Sequence, residues 1–304
     1  MSDLVSLNER FALAGNLSFI EATDYLGNSL AIARIQNVHA SADIAIQGAQ
    51  ILTYEPENDA PVIWLSPHAK FIAGKAIRGG VPVCWPWFGN HETETSYPAH
   101  GFARNLAWNV LGSDALEDGS TRLVFELQSN DTAKMQWPFE YHLRYVVTVG
   151  ATLSVELITK NIGSSPFVIS EALHTYLVIG DIEKTAVTGL ADTEYLDKVD
   201  GFKRKTQSGD IKIRSEVDRV YLNTAADCVI EDSKLNRRIR ISKSGSQTTV
   251  VWNPWAEKTV QMGDLGNEGY RGFVCVESAN AAENALTLTP GESHTLRVTY
   301  SVEH

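Results

Sequence analysis

Apolar and polar residues alternate one by one through several stretches of the chain, the pattern a half-buried β-strand imposes because successive side chains leave it on opposite faces. Leu123 to Gln128, Tyr141 to Val149 and Leu153 to Lys160 all carry it. From Tyr141 to Val149 every odd-numbered position is apolar or aromatic, and the short Gly150-Ala-Thr link to the next alternating run predicts an antiparallel hairpin. Runs at Ala172 to Ile179, Val217 to Leu222, Thr248 to Trp252, Phe273 to Glu277 and Thr295 to Val302 predict further strands. Turn formers stand between them, among them Asn161-Ile-Gly-Ser-Ser-Pro166, Asn253-Pro254 and Pro290-Gly291. No long stretch repeats with the helical period. Many strands, few helices and no break in composition predict an all-β fold, one large antiparallel sandwich or barrel with a face of long loops. A single domain spanning residues 1–304 is the expected organisation.

Composition adds exclusions. With 43% hydrophobic and 21% charged residues, the chain has an ordinary soluble globular make-up and is long enough to bury a large core. Its net charge of -11 would repel nucleic acid and anionic membrane surfaces, so neither is an expected partner. A small anionic substrate is allowed, provided cations are concentrated locally. The first ten residues include acidic ones where a signal peptide needs a basic start, and no run of apolar residues is long enough for a membrane helix. Cys84, Cys228 and Cys275 form no C-x-x-C pair and no even disulfide set, which suits a reducing cytoplasm and small core residues.

Candidate chemistry gathers first in Lys75-Ala-Ile-Arg-Gly-Gly-Val-Pro-Val-Cys-Trp-Pro-Trp-Phe-Gly89, continued by His100-Gly-Phe-Ala-Arg104. Gly79 and Gly80 would let the backbone approach a ligand, while Pro82 and Pro86 stiffen the path. Trp85, Trp87 and Phe88 offer flat faces to the C–H side of a sugar ring, with Arg78, His100 and Arg104 as donors to its oxygens. The same stretch also reads as a Pro/Gly-rich loop whose aromatics merely cap a core. Two strand patterns carry a polar residue among apolar neighbours: His174 shares its face with Ala172, Tyr176 and Val178, and Glu277 with Phe273 and Cys275. Taken singly, such residues are a satisfied core donor and a solvent-reaching carboxylate. Together in one cleft they would be an acid and a base. Asp218-Arg219, inside a strand pattern, is either edge protection or a ligand contact. Lys203-Arg-Lys205 and Arg237-Arg238 read as solvated faces, and nucleotide, zinc-protease and serine-hydrolase motifs are missing.

Ile77-Arg-Gly-Gly-Val-Pro-Val-Cys-Trp-Pro-Trp-Phe-Gly89, Pro98-Ala-His-Gly-Phe-Ala-Arg104, Glu171-Ala-Leu-His-Thr-Tyr176, Asp218-Arg-Val-Tyr221, Val251-Trp-Asn-Pro-Trp255 and Cys275-Val-Glu-Ser-Ala-Asn280, in that order, resemble the glucose-6-phosphate 1-epimerases, the hexose-phosphate branch of the aldose 1-epimerase (mutarotase) family. The resemblance spans most of the chain and implies an antiparallel β-supersandwich. It places His174 on the general acid that protonates the ring oxygen and Glu277 on the carboxylate that takes the C1 hydroxyl proton. Asp218 and His100 fall on residues that hydrogen-bond the sugar, and Arg78 and Arg104 on basic residues that serve the phosphorylated substrate. Lys75, Trp85, Trp87 and Trp255 join the candidates on composition alone. The resemblance implies a small-molecule sugar phosphate as the partner and no metal or organic cofactor; a monomer is expected, and the N-terminus and cysteine usage point to the cytoplasm. A mutarotase of free aldoses and a non-catalytic carbohydrate-binding module are the alternatives.

Overall fold

The computed structural model describes residues 3–304, and the alternating segments form two eight-stranded sheets, a four-stranded sheet and a short two-stranded one, with antiparallel pairing between the strands. One large sheet runs Lys203–Thr206, Glu194–Asp197, Val217–Tyr221, Thr248–Asn253, Phe273–Asn280, Glu171–Leu173, Val83–Cys84, with Tyr176–Val178 also bonded to Phe273–Asn280. The other runs Thr185–Thr188, Cys228–Asp232, Arg237–Ser244, Ser293–Glu303, Leu153–Asn161, Tyr141–Val149, Thr121–Gln128, Asn109–Ala115. This is the large antiparallel β-supersandwich. The expected hairpin is present, in a register that pairs Tyr141 with Asn161 and Val149 with Leu153, and its odd-numbered residues are buried.

Leu143, Tyr145 and Val147 of that hairpin meet Leu173, Val251, Val274 and Val276 of the facing sheet in one apolar core. Each such side chain stabilises the sandwich by roughly 1.5–3 kcal/mol through its removal from water. Strand Phe273–Asn280 is buried along its whole length, because both of its faces are covered. Val274 and Val276 face the partner sheet, whereas Phe273, Cys275 and Ala279 pack with aromatic and small residues on the opposite side. Glu277 belongs to that second face by the period of the strand.

Three elements differ from the sequence reading. The run from Ala172 to Ile179 is two short strands, Glu171–Leu173 and Tyr176–Val178, because at His174 the main chain leaves the ladder and its N–H donates to the carbonyl of Pro82 at 3.0 Å. Thr175 fixes the break, its hydroxyl lying 2.5 Å from that of Tyr300 across the core. Arg237 is no solvated residue: it is buried, and its guanidinium donates to the carbonyls of Ala60, Pro61 and Val178. Helix Trp255–Met262 follows Pro254 and ends at Gly263 in the left-handed conformation, and it carries no alternation by which to be foreseen. None of the helices among the described residues is long and apolar enough to cross a membrane.

One link between the sheets is titratable. Glu171 is fully buried, its Oε1 accepts from Asn280 Nδ2 at 3.0 Å, and His294 Nε2 lies 3.3 Å from the same oxygen. Burial pushes the His294 pKa down, but Glu171 and the carbonyl of Gly245 pull it up, with a net rise above 6.5. A group whose pKa is raised on folding contributes stability that is complete below its unfolded value and is lost as pH rises through its folded value. Urea unfolding should therefore show stability falling as pH rises from the unfolded imidazole value of 6.5 through the higher folded one. His294→Gln should flatten that slope; an unchanged slope in the variant would contradict the assignment.

Candidate active site

On the outer face of the first large sheet lies a cavity of about 140 Å³ lined by Arg78, Phe88, His100, His174, Lys198, Asp218, Val250, Trp252, Met262 and Glu277. The strand period explains the floor: Asp218 and Val250 come from neighbouring strands, Glu277 from the buried central strand, and His174 from the break beside it. The ring of His174 stacks on Tyr176 at 5.0 Å and meets Trp252 edge-on at 5.7 Å. Its Nε2 stands 3.4 Å from Glu277 Oε1, longer than a good hydrogen bond. His174 Nδ1 and Glu277 Oε2 are both buried without a protein partner.

Buried polar groups left unpaired are costly, by about 1–3 kcal/mol each, so two in one cavity mark a place built for a ligand. Burial drives the His174 pKa well below 6.5, assisted by His100, Arg104 and Arg78. Burial raises Glu277 well above 4.5, with Asp218 adding to the rise and Lys198 and Arg104 opposing it. The carboxylate thus has the raised proton affinity expected of a base. The imidazole, by contrast, has its proton affinity lowered, because its ring is shielded from water and Arg104 and Arg78 stand near it.

His100 takes a positive φ of 65°, and the N–H of Gly89 donates to its Nδ1 at 3.3 Å, which leaves the proton on Nε2 as a donor. Its pKa is pushed down to about 3 by burial and by Arg104, Lys198 and Arg78, so it acts as a neutral hydrogen-bonding group. The residue after it must be glycine: at Gly101 a Cβ would fall 2.0 Å from the carbonyl oxygen of Trp85. Arg78 holds Asp264 through Nε at 3.0 Å and donates from Nη1 to the Tyr176 hydroxyl at 3.1 Å, while Nη2 has no partner among the described residues. Lys198 Nζ lies 2.9 Å from Asp218 and 5.9 Å from the centre of the Phe88 ring. Burial lifts the Asp218 pKa above 3.8 against the pull of Lys198.

Arg78, His100, His174, Asp218 and Glu277 are therefore brought together, and Phe88 lines the same cavity. Other candidates are not. Trp85 is wholly buried in the inter-sheet core against Tyr141, Trp137 and Phe102, since it falls on the face opposite Cys84. Lys75 is exposed on a turn whose carbonyl accepts from Gln47, away from the cavity lining. Trp87 packs on Phe102 and Tyr97 and donates to Pro98, and Trp255 packs on Tyr270. Arg104 does not line the cavity; it donates to the carbonyl of Ala99 and acts on the site through its charge. Gly80 serves close backbone packing rather than a ligand, since a Cβ there would fall 2.2 Å from the carbonyl oxygen of Ile51. Lys198, Trp252 and Met262 were not singled out from the sequence. Lys198 sits in a turn capped by Asp197 and bears no periodic signal.

The family model described as aldose 1-epimerase matches residues 32–301. Among curated proteins, one from Escherichia coli (strain K12) named "Putative glucose-6-phosphate 1-epimerase" is 39% identical over 261 residues, covering 86% of each chain. A protein of the same name from Salmonella typhimurium is 39% identical over 248 residues, 81% of this chain and 82% of its own. A solved structure titled as a "putative mutarotase (YeaD)" from Salmonella typhimurium superposes with a TM-score of 0.88 at 35% identity, covering 96% of this chain and 95% of that one.

Proposed function

As the chain belongs to the aldose 1-epimerase family, we propose that it interconverts the α and β anomers of a hexose 6-phosphate, D-glucose 6-phosphate above others, at the cavity around His174 and Glu277. The observation that carries the reading is the imidazole–carboxyl pair, 3.4 Å apart, with one buried, unpartnered polar atom on each member. Sugar binding alone requires no such pair. Glu277 takes the proton from the C1 hydroxyl as His174 gives one to the ring oxygen, so the C1–O5 bond breaks without a high-energy ion. Rotation about C1–C2 exposes the other face of the aldehyde, and the reverse proton transfers close the ring. Between them the two side chains then carry the same number of protons as at the start.

Charge supports the phosphorylated substrate. Two cations, Arg78 and Lys198, line one cavity of a chain with net charge -11. A guanidinium and an ammonium suit a phosphate dianion, whereas a neutral sugar gains little from them. The incoming dianion would also offset the cations that depress His174, raising its proton affinity when the acid is needed. The counter-reading, a free aldose, draws on the fact that each cation already has a carboxylate partner. Polarimetry of freshly dissolved α anomers decides between them. Relaxation of glucose 6-phosphate should be accelerated at a far lower protein concentration than that of glucose; equal acceleration would favour the free sugar.

A further inference from the structure

Resting on the phosphate reading, we propose that Asp264 tunes the discrimination between phosphorylated and free sugars by competing with the phosphoryl group for the Arg78 guanidinium. Asp264 is absent from the cavity lining, and among the described residues its carboxylate has no partner but Arg78, at 3.0 Å. Its position is held independently of that ion pair. Ser66 Oγ donates to its main-chain carbonyl at 2.6 Å, and the adjoining Leu265 is fully buried in the cluster with Tyr176, Trp252 and Phe273. The carboxylate therefore stays in place when a ligand takes Arg78, and its charge opposes the phosphoryl group. Arg78 keeps its aim without it, since Nη1 still donates to the Tyr176 hydroxyl at 3.1 Å.

The other ion pair of the cavity behaves differently. Asp218 lines the cavity and can exchange Lys198 for a sugar hydroxyl, so its charge is used by the ligand; that of Asp264 is not. Asp264 accordingly acts through Arg78 as a competing anion, and its removal favours anions selectively.

The test compares kcat/KM for glucose 6-phosphate and glucose, together with competitive inhibition by inorganic phosphate, in wild type, Asp264→Asn, Asp264→Ala and Asp264→Glu. Both neutral variants are expected to raise the phosphorylated-to-free ratio and to lower the inhibition constant of phosphate by roughly 2- to 5-fold, the scale of a partly exposed ion pair. Asp264→Glu should keep the wild-type ratio. A merely structural role would move both sugars together and would not tighten inhibition by phosphate. If wild type prefers the phosphorylated sugar but the ratio is unchanged or falls in the neutral variants, the role of Asp264 is overturned while the phosphate reading stands. If wild type shows no such preference, the phosphate reading fails, and the role of Asp264 with it.

Discussion

Replacing His174 with Ala, or Glu277 with Gln, is expected to slow anomer exchange by about two decades or more, the usual worth of a positioned proton donor or acceptor. Glu277→Gln is the sharper case. It keeps the shape of a side chain only 1% exposed and can still form hydrogen bonds, but its amide cannot hold the proton released by the C1 hydroxyl. His174→Ala removes a ring stacked on Tyr176, so some loss of stability should accompany it. His174→Gln keeps more of that volume and should be equally slow. The pair acts as a unit across 3.4 Å, so the double variant should be little slower than either single one. Near-wild-type exchange in folded variants would remove both residues from the mechanism.

The second large effect is expected at Arg78. Its truncation to Ala should weaken glucose 6-phosphate by about 1.5–3 kcal/mol, the range for hydrogen bonds to charged groups, or roughly 10- to 150-fold in kcat/KM. Glucose should be affected much less. Truncation also leaves Asp264 without its cation, so part of the loss is repulsion rather than a missing contact. Adding Asp264→Asn to Arg78→Ala should therefore recover part of the loss for the phosphorylated sugar alone. Equal losses for the two sugars would place Arg78 in the scaffold of the site, and the phosphate assignment would fall.

The strands were legible because alternation reports burial on one face, and Tyr141–Val149 shows it most clearly, with every odd position buried as expected. His174 and Glu277 were legible as polar interruptions in apolar strands, which are costly unless used. The aromatic stretch misled where residue type was taken as orientation. Trp85 and Phe88 lie three residues apart in one Pro-rich segment, yet one fills the core and the other lines the cavity. Gly79 and Gly80 carry positive φ, but what approaches them is backbone rather than a ligand: Trp64 and Leu65 at the first, Ile51 at the second. Lys198 and Met262 reach the cavity from a capped turn and a helix end, where neither alternation nor turn chemistry says which way a side chain faces. The four-stranded sheet from Leu17 to Pro56 lacked a motif altogether, since its residues build the scaffold and none lines the cavity.

Exchange NMR on an equilibrium mixture of α- and β-glucose 6-phosphate, with protein at catalytic concentration, tests the central claim most directly. Cross-peaks between the two C1 protons should grow in proportion to protein concentration, and far less protein should be needed than for glucose. Exchange that stays at the rate of buffer alone, while the sugar phosphate resonances shift or broaden on binding, would make the cavity a binding site without turnover and contradict the account.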